Sequence, residues 1–253
     1  MHESEGKYVV RMTLSERLQH GLLIVSFVLL VLTGLPLIVY EWKVVQLVFL
    51  DKFSFALRGI LHRAGAVLLI GLCLWHLLYM VFTRRGRETA RELMIRKKDL
   101  TDALESLMYN LGFTSWLHRR GILAGFLERR PYWLFREPPR YGRYNFIEKF
   151  EYLAVAWGSV VMIATGFFMW KVELAMRVIP RYVFDVLVII HGYEAVLAFL
   201  AILIWHMYNV HFSPAAFPMS KVWLTGKISR KQLMEEHPLE YEQLTKRQEG
   251  EEL

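Results

Sequence analysis

Four long apolar runs constrain this chain of 253 residues more than any other feature. They cover roughly residues 18–40, 59–83, 150–170 and 182–212. Each run reaches the ~20 residues that an α-helix needs to cross the hydrocarbon core of a bilayer. Because lipid satisfies no backbone hydrogen bonds, a helix is the element expected for each run. The sequence therefore predicts an all-α integral membrane protein, a four-helix bundle.

Positive charge is concentrated between the second and third runs, and it indicates how the bundle is oriented. The chain has a net charge of +7, and many of its arginines and lysines fall within residues 84–149. The positive-inside rule places this loop in the cytoplasm, and four spans then place both termini there too. Basic residues that crowd the ends of membrane spans are typical of contact with membrane lipid. They argue against a nucleic-acid partner.

We expect the chain to have three parts: a cytoplasmic N-terminus (1–17), a membrane domain (18–212) and a cytoplasmic tail (213–253). The long cytoplasmic loop inside the membrane domain is expected to be partly helical. An amphipathic helix is predicted in it, with one apolar face made of Leu100, Ala103, Leu104, Leu107, Met108 and Leu111. Residues 115–136 then mix aromatics with arginines. This mixture fits a segment that rests on lipid headgroups, or a docking surface for a cytoplasmic partner.

Histidines recur at matching positions in the second and fourth runs. The second run contains H-R-A-G-A-V-L-L-I-G-L-C-L-W-H, from His62 to His76. The fourth contains H-G-Y-E-A-V-L-A-F-L-A-I-L-I-W-H, from His191 to His206. Separations of about four helical turns place both histidines of each run on one face, ~21–22 Å apart along the helix axis. The spacing predicts an outer level of histidines, His62 with His191, and an inner level, His76 with His206.

The first and third runs also resemble each other. Thr33-Gly34 and Thr165-Gly166 stand near their outer ends, which indicates two helix pairs of similar design. Small residues let a flat cofactor approach the helix backbones. The glycines available for this are Gly34, Gly65, Gly71, Gly158 and Gly166.

Two imidazoles that face each other inside a bundle are suited to holding the iron of a haem. Two levels of histidine therefore predict two haems and a path for electrons across the membrane. Cys73 is the only cysteine, which excludes a covalent C-x-x-C-H haem and an iron–sulfur cluster held by this chain's thiolates. A histidine-based transporter for a metal or small solute is an alternative, and so is a passive membrane anchor.

The inner level has more histidines than two ligand places require. His20 stands near the cytoplasmic edge of the first run, at about the depth of His76 and His206. His211 lies one turn beyond His206 and is expected at the membrane interface. A third haem held by His76 and His211 is a further alternative.

The spans together resemble a known family. The residues that carry the resemblance are Arg17, His20, the motif S-F-x-x-L-x-x-T-G-L-P, His62, His191 and His206. The sequence resembles the bacterial di-haem cytochrome b family, which includes the gamma subunit of formate dehydrogenase. The cytochrome b anchors of nickel–iron hydrogenases and of thiosulfate reductase belong to the same family. The resemblance covers roughly residues 14–212.

The resemblance implies two haem b groups with defined ligands. His62 and His191 would hold the outer haem, and His20 and His206 would hold the inner one. The sequence departs from the family in its extra His76 and in a spacing of fifteen residues in the fourth run, where the family often has fourteen. The internal repeat favours His76 as the partner of His206, whereas the resemblance favours His20. We expect His20 to be the ligand.

The resemblance also implies exchange of electrons with menaquinone or ubiquinone near the inner haem. Quinone reduction takes up protons, and the candidate residues at that depth are His76, Tyr79, Tyr208 and His211. Arg63 follows His62 and is expected either to pair with a haem propionate or to extend outward to the membrane surface.

The resemblance places the chain in a larger assembly. It implies an electron-transfer subunit of a quinone-linked oxidoreductase in the inner membrane of a bacterium or archaeon. A partner subunit of iron–sulfur, molybdopterin, hydrogenase or multihaem cytochrome type would dock at one face. The sequence has no nucleophile–base pairing, phosphate loop or dinucleotide motif. Substrate chemistry is therefore expected on another chain.

Overall fold

A computed structural model describes residues 7–49, 52–111, 139–214 and 216–251 of the chain. The predicted headgroup or docking segment at residues 115–136 lies outside these ranges. The described chain is mostly helical, as predicted, and includes one short two-stranded sheet that was not predicted.

The helices and strands are numbered here in chain order. They are β1 (Tyr8–Val10), α1 (Leu14–Gly34), α2 (Lys43–Phe49), α3 (Lys52–Phe82), α4 (Arg84–Leu93), α5 (Lys97–Asn110), α6 (Phe146–Trp170), α7 (Val172–Val178), α8 (Arg181–Leu200), α9 (Val222–Thr225), β2 (Lys227–Ser229), α10 (Arg230–Glu236) and α11 (Pro238–Glu251).

Four of the helical segments are long and apolar enough to cross a membrane. These spans are Leu14–Leu37, Ser54–Phe82, Phe146–Trp170 and Arg181–Phe212, with mean hydropathies between 1.8 and 2.3. At most 11% of the most apolar stretch of each span is buried inside the protein. Most of this apolar surface is therefore left for lipid, and the prediction of a four-span helical membrane protein is confirmed.

The first span begins at a well-defined cap. The Thr13 hydroxyl accepts the Glu16 backbone N–H at 3.3 Å, and the Glu16 carboxylate accepts the Thr13 N–H at 2.7 Å. This capping box satisfies two of the N–H groups that a helix start leaves without partners. The helix therefore starts at Leu14, four residues before the apolar run itself. It ends in a 3₁₀ turn over Leu35–Leu37, where a proline cannot continue the α-helix.

The fourth span changes its hydrogen-bond pattern partway along. It is α-helical over Arg181–Leu200 and then forms π-helix over Ala201–His206 and Tyr208–Phe212. A π turn closes its bonds from residue i to i+5, so it takes up more residues per turn than an α-helix. Such turns often occur at functional sites.

The chain divides into two compact units, of which one contains the spans except for the start of the third. This membrane unit comprises Val10–Arg87 and Leu153–Lys227. Within it the first and second spans pack closely at Gly65. A Cβ atom at that position would lie 3.2 Å from the Leu30 side chain. Glycine therefore allows these two backbones to come together.

The other unit is polar and comprises Met1–Val9, Glu88–Tyr152 and Ile228–Leu253. Its most buried large apolar side chain is Leu233 of α10, which is 1% exposed among the described residues. His237 closes α10 and is 3% exposed, with its Nδ1 2.8 Å from the backbone carbonyl of residue 142. The end of the chain, from Ile228 onward, therefore folds into the polar unit.

Candidate cofactor site

His62 on α3 and His191 on α8 face each other at one end of the membrane unit. Their ring centroids are 6.4 Å apart, with an angle of 68° between the ring planes. We call these two residues the outer pair, after the orientation that the charge distribution predicts. The spacing argument placed them at one level, and the structure brings them together.

Thr33 on the first span fixes the tautomer of His62. The Thr33 hydroxyl donates its proton to the Leu29 carbonyl at 2.6 Å, as serine and threonine often do inside helices. Its Oγ1 is also 2.9 Å from the His62 Nδ1. Because a hydroxyl has a single proton, Oγ1 must accept from Nδ1–H in this second bond. The Nε2 of a neutral His62 therefore keeps its lone pair.

The third span repeats this arrangement for the other member of the pair. The Thr165 hydroxyl donates to the Val161 carbonyl at 2.7 Å. Its Oγ1 is 2.8 Å from the His191 Nδ1, so it accepts from Nδ1–H in the same way. Both rings of the outer pair therefore present an Nε2 lone pair. This is the state in which imidazole binds a metal, with the other ring nitrogen held by a second residue.

The glycine that follows each threonine makes room for the ring. A Cβ atom at Gly34 would lie 3.1 Å from His62 Cε1, and one at Gly166 would lie 3.2 Å from His191 Cε1. Both distances are shorter than ordinary carbon–carbon contacts. The two Thr-Gly pairs stand out in the sequence as a repeat, but the sequence does not link them to the histidines. The geometry shows that the threonine orients the histidine ring and that the glycine leaves space for it.

His20 on α1 and His206 in the first π segment make a second facing pair, which we call the inner pair. Their ring centroids are also 6.4 Å apart, with 50° between the planes. The His20 ring lies 5.8 Å from the ring of Trp223 as well. Among the described residues no group hydrogen-bonds to the buried His20 Nδ1. The inner pair thus has the same ring separation as the outer pair, and His20 lacks the threonine that orients each outer ring.

The π segment accounts for the unusual spacing in the fourth span. Four turns of a uniform α-helix contain about 14.4 residues, so fifteen residues exceed four turns by about half a residue. In such a helix His206 would be rotated away from the face of His191. Because the π turn takes up more residues, His206 is turned back toward the face of His191. The fifteen-residue spacing therefore behaves much as a fourteen-residue spacing does in an unbroken α-helix.

His76 is held by a side chain of the first span. Its Nδ1 lies 2.7 Å from Oε1 of Gln19, and the Gln19 Nε2 donates to the Ser15 hydroxyl at 3.1 Å. Gln19 is 6% exposed. Because the amide oxygen only accepts, His76 carries its proton on Nδ1 when neutral. The lone pair of the neutral ring is then on Nε2.

Tyr79 lies one turn beyond His76 and continues this polar strip. Its hydroxyl donates to the Glu16 carboxylate at 3.0 Å, and the Arg85 Nε lies 3.6 Å from the same oxygen. Tyr79 is 9% exposed. Glu16 belongs to the first turn of the first span, so the strip runs from the end of that span to His76.

The other two predicted quinone residues lie in the second π segment. Tyr208 is 53% exposed, so its side chain faces away from the packed helices. The His211 ring is half-buried and lies 6.2 Å from the ring of Phe212.

Arg58, an arginine that is not among the predicted residues, contacts the same residue as His62 of the outer pair, Thr33. Arg63 is exposed, and its guanidinium extends back toward Gly59, where a Cβ atom would be 3.8 Å from it. Arg58 is half-buried and donates from Nη1 to the Thr33 carbonyl at 2.7 Å. Its position four residues before His62, on the same helix face, was the available signal.

The fold and these two ring pairs together define a class of protein. Two metal–nitrogen bonds of about 2 Å, added to the distance from Nε2 to the centre of each imidazole ring, account for a centroid separation of this size. Within the described residues, no group of three or more His, Cys, Asp or Glu side chains is suited to a bare metal ion. The arrangement is that of a helical membrane protein whose paired imidazoles fit a planar metal cofactor.

Comparison with known families identifies this class. The model of the prokaryotic cytochrome b561 family matches residues 11–216, and the chain belongs to this family. It is therefore a multi-pass bacterial membrane protein that contacts lipid and binds haem b for electron transfer. The resemblance to bacterial cytochrome b proteins is confirmed. No curated protein matches the chain.

Proposed function

We propose that this chain is the cytochrome b subunit of a respiratory oxidoreductase. It would carry electrons through two haem b groups between a quinone pool and a redox partner subunit. The observation that carries the proposal is the equal 6.4 Å ring separation in two histidine pairs at the two levels of the bundle. His191 and His206 of the fourth span lie ~22 Å apart along its axis, so the pairs lie at two depths of the membrane.

The outer pair would hold one haem, and His20 with His206 would hold the other. A bound haem b supplies a one-electron iron couple. The protein orients the ligands, excludes water and compensates charge. Arg58 is the residue we assign to a haem propionate at the outer level, since its guanidinium is half-buried beside Thr33. Arg63 is assigned to the membrane surface.

Quinone exchange would take place beside the inner pair. Reduction of menaquinone or ubiquinone to the quinol takes up two electrons and two protons. His76 has an Nε2 that accepts and releases a proton, and Tyr79 connects this region to Glu16. We therefore assign proton transfer to His76 and Tyr79. Tyr208 and His211 are assigned to the rim of the site, because they lie in the second π segment, beyond His206 toward the end of the fourth span.

A partner subunit of iron–sulfur, molybdopterin, hydrogenase or multihaem type would complete the complex in the inner membrane. Such a partner would dock either on the outer connections between spans or on the polar unit. The substrate of the complex would be set by that subunit.

The haem content of the purified protein tests the proposal. We expect two haem b groups per chain in a pyridine haemochrome assay, and one in each of the variants His62→Ala, His191→Ala, His20→Ala and His206→Ala. His76→Ala should retain two. Three haems in the native protein, or a haem lost in His76→Ala, would assign His76 as a ligand. A protein without haem would support a transporter or a bare anchor.

Quinone exchange is tested separately with membranes that retain both haems. We expect reduction of the haems by a quinol analogue to slow by about 10²-fold or more in His76→Gln, the size typical of a lost proton-transfer group. Tyr193→Phe is the matched control and should react at nearly the native rate, because Tyr193 is 74% exposed and lies at the level of the outer pair. Equal rates in His76→Gln and the native protein would place quinone exchange elsewhere.

A further inference from the structure

Helix α5 exposes a row of leucines and buries two of its acidic side chains. Leu100, Leu104 and Leu107 are 70%, 57% and 56% exposed, whereas Asp99 and Asp102 are 6% and 8% exposed. The leucines recur at i, i+4 and i+7, so they form one stripe along the helix. Asp102 lies on the opposite side of the helix. A helix surrounded by water on its outer side is expected to show the reverse pattern.

The inward orientation of the acidic face is fixed by the ion pair between Asp99 and Lys149. The Asp99 carboxylate accepts from the Lys149 ammonium at 2.7 Å and from the Arg96 backbone N–H at 2.6 Å. Asp102 accepts from Lys98 at 2.7 Å. Burial alone raises the pKa of the Asp99 carboxyl, but the hydrogen bond from Lys149 and the other bonds outweigh it and lower the pKa. Asp99 is therefore charged, and the helix cannot rotate its leucines inward without breaking a buried pair.

The partner of Asp99 sets the depth of the helix. Lys149 is 7% exposed and belongs to the first turn of the third span, Phe146–Trp170. The first turn of a span lies at the level of the lipid headgroups. The ion pair therefore holds the start of α5 at that level. Arg96 and Lys97 are exposed beside the leucine stripe, where they are suited to anionic headgroups.

We propose that α5 is an interfacial helix that lies on the membrane surface. Its lipid-binding face is formed by Leu100, Leu104, Leu107 and Leu111, the last of which is 71% exposed. Anionic lipid is the occupant that matches both the apolar stripe and the flanking positive charge. The surface is distinct from the cofactor site and does not depend on the function proposed for it. It would anchor the polar unit to the bilayer.

Quenching of a fluorescent probe by brominated lipid tests this orientation. Single-cysteine variants of the full chain, Leu107→Cys and Tyr109→Cys, are made in a Cys73→Ala background and labelled with an environment-sensitive dye. The two positions are two residues apart on opposite sides of α5, and both are exposed, at 56% and 42%. Each is measured in phosphatidylcholine–phosphatidylglycerol vesicles whose acyl chains are brominated near the headgroup. The fluorescence in brominated vesicles is divided by that in unbrominated vesicles, so any quenching by bound haem cancels.

We expect brominated lipid to lower the fluorescence at position 107 about twofold or more and to change that at 109 little, as for a helix that lies in the interface. Leu104→Cys serves as a second reporter and should behave like position 107. Weak quenching at both leucine positions would overturn the proposal and assign the stripe to contact with protein, either this chain or a partner. Strong quenching at position 109 alone would show that the opposite face of α5 contacts the lipid, which would also overturn the proposal. Native haem spectra of the labelled variants show that the membrane unit is folded.

Discussion

The outer and inner histidine pairs have the same ring separation but different surroundings. Each ring of the outer pair is bonded to a threonine of a neighbouring span and packed against a glycine. At the inner pair, His20 has a buried Nδ1 without a hydrogen-bond partner in the described chain, and His206 lies in a π segment. The outer level is therefore rigidly preorganised, whereas the inner level is less constrained.

This difference matches the different tasks proposed for the two levels. A pair that only binds a cofactor benefits from fixed ligands, because their orientation costs nothing further on binding. A pair beside an exchangeable quinone must tolerate a substrate that enters and leaves. The polar strip of His76, Gln19, Tyr79 and Glu16 lies at the inner pair's end of the first two spans. Within the part of the chain that the structure describes, the contacts of the outer pair include no such strip.

The largest effect is expected from changes in helix register. Deleting Val25 from the first span, which is α-helical there, rotates His20 by about 100° relative to Thr33. One of the two haems should then be lost. Deleting Leu203 removes a residue from the π segment, so the helix can close as α-helix and keep His206 on the same face as His191. Both haems should remain, as counted by pyridine haemochrome.

The two deletions are matched, since both remove an exposed apolar residue from a span. Loss of the inner haem in the Leu203 deletion, with the protein still in the membrane, would show that the π turn itself is required at the inner level.

A smaller effect is expected at the outer pair from Gly34→Ala. The added Cβ would lie 3.1 Å from the His62 ring, so the ring or the helix must shift. Overpacking of this kind costs about 1–3 kcal/mol, which should weaken outer haem binding by about 5- to 150-fold. Gly71→Ala is the control, because nothing lies within 4 Å of a Cβ there. Haem titration of the stripped protein measures both. Equal affinities would mean that the outer ring is not tightly packed.

Removing one hydrogen bond from the outer pair should change its potential rather than its occupancy. The Thr33 hydroxyl accepts from His62 Nδ1–H and makes the ring a stronger donor to oxidised iron. Thr33→Val should therefore raise the midpoint potential of the outer haem by an amount on the order of tens of mV, the equivalent of one hydrogen bond. Thr165→Val should do the same from the other side, and Thr33→Ser should restore the native value. Spectroelectrochemical titration resolves the two haems, and a shift of the inner one instead would reverse the assignment.

Sequence alone predicted the spans and the histidine levels because both depend on periodicity. The length of an apolar run predicts a span. The positions of His62 and His191 within their apolar runs predict the outer pair. The choice between His20 and His76 at the inner level needed the resemblance to a family, since all three inner histidines have a suitable depth. It is still a proposal.

Features that depend on contacts between helices could not be predicted in this way. Thr33 and Thr165 bond to histidines on other spans, and a threonine inside a helix ordinarily bonds to its own backbone, which these also do. The π segment is set by the backbone hydrogen bonds of the fourth span, which leave no mark in residue spacing except the extra residue before His206. The sequence shows the extra residue, and the structure shows its cause.

The smallest effect concerns the choice of inner ligand and is expected from Gln19→Leu. Gln19 accepts from His76 Nδ1–H as Thr33 accepts from His62, so a ligand role for His76 would make the two substitutions equivalent. Because we assign His20 as the ligand, Gln19→Leu should shift the inner midpoint potential by less than about 10 mV, well below the effect of one bond on a ligand. The same titration measures it. A rise in potential comparable to that of the outer haem in Thr33→Val would assign His76, rather than His20, as the inner ligand. Both levels of the bundle would then be built alike.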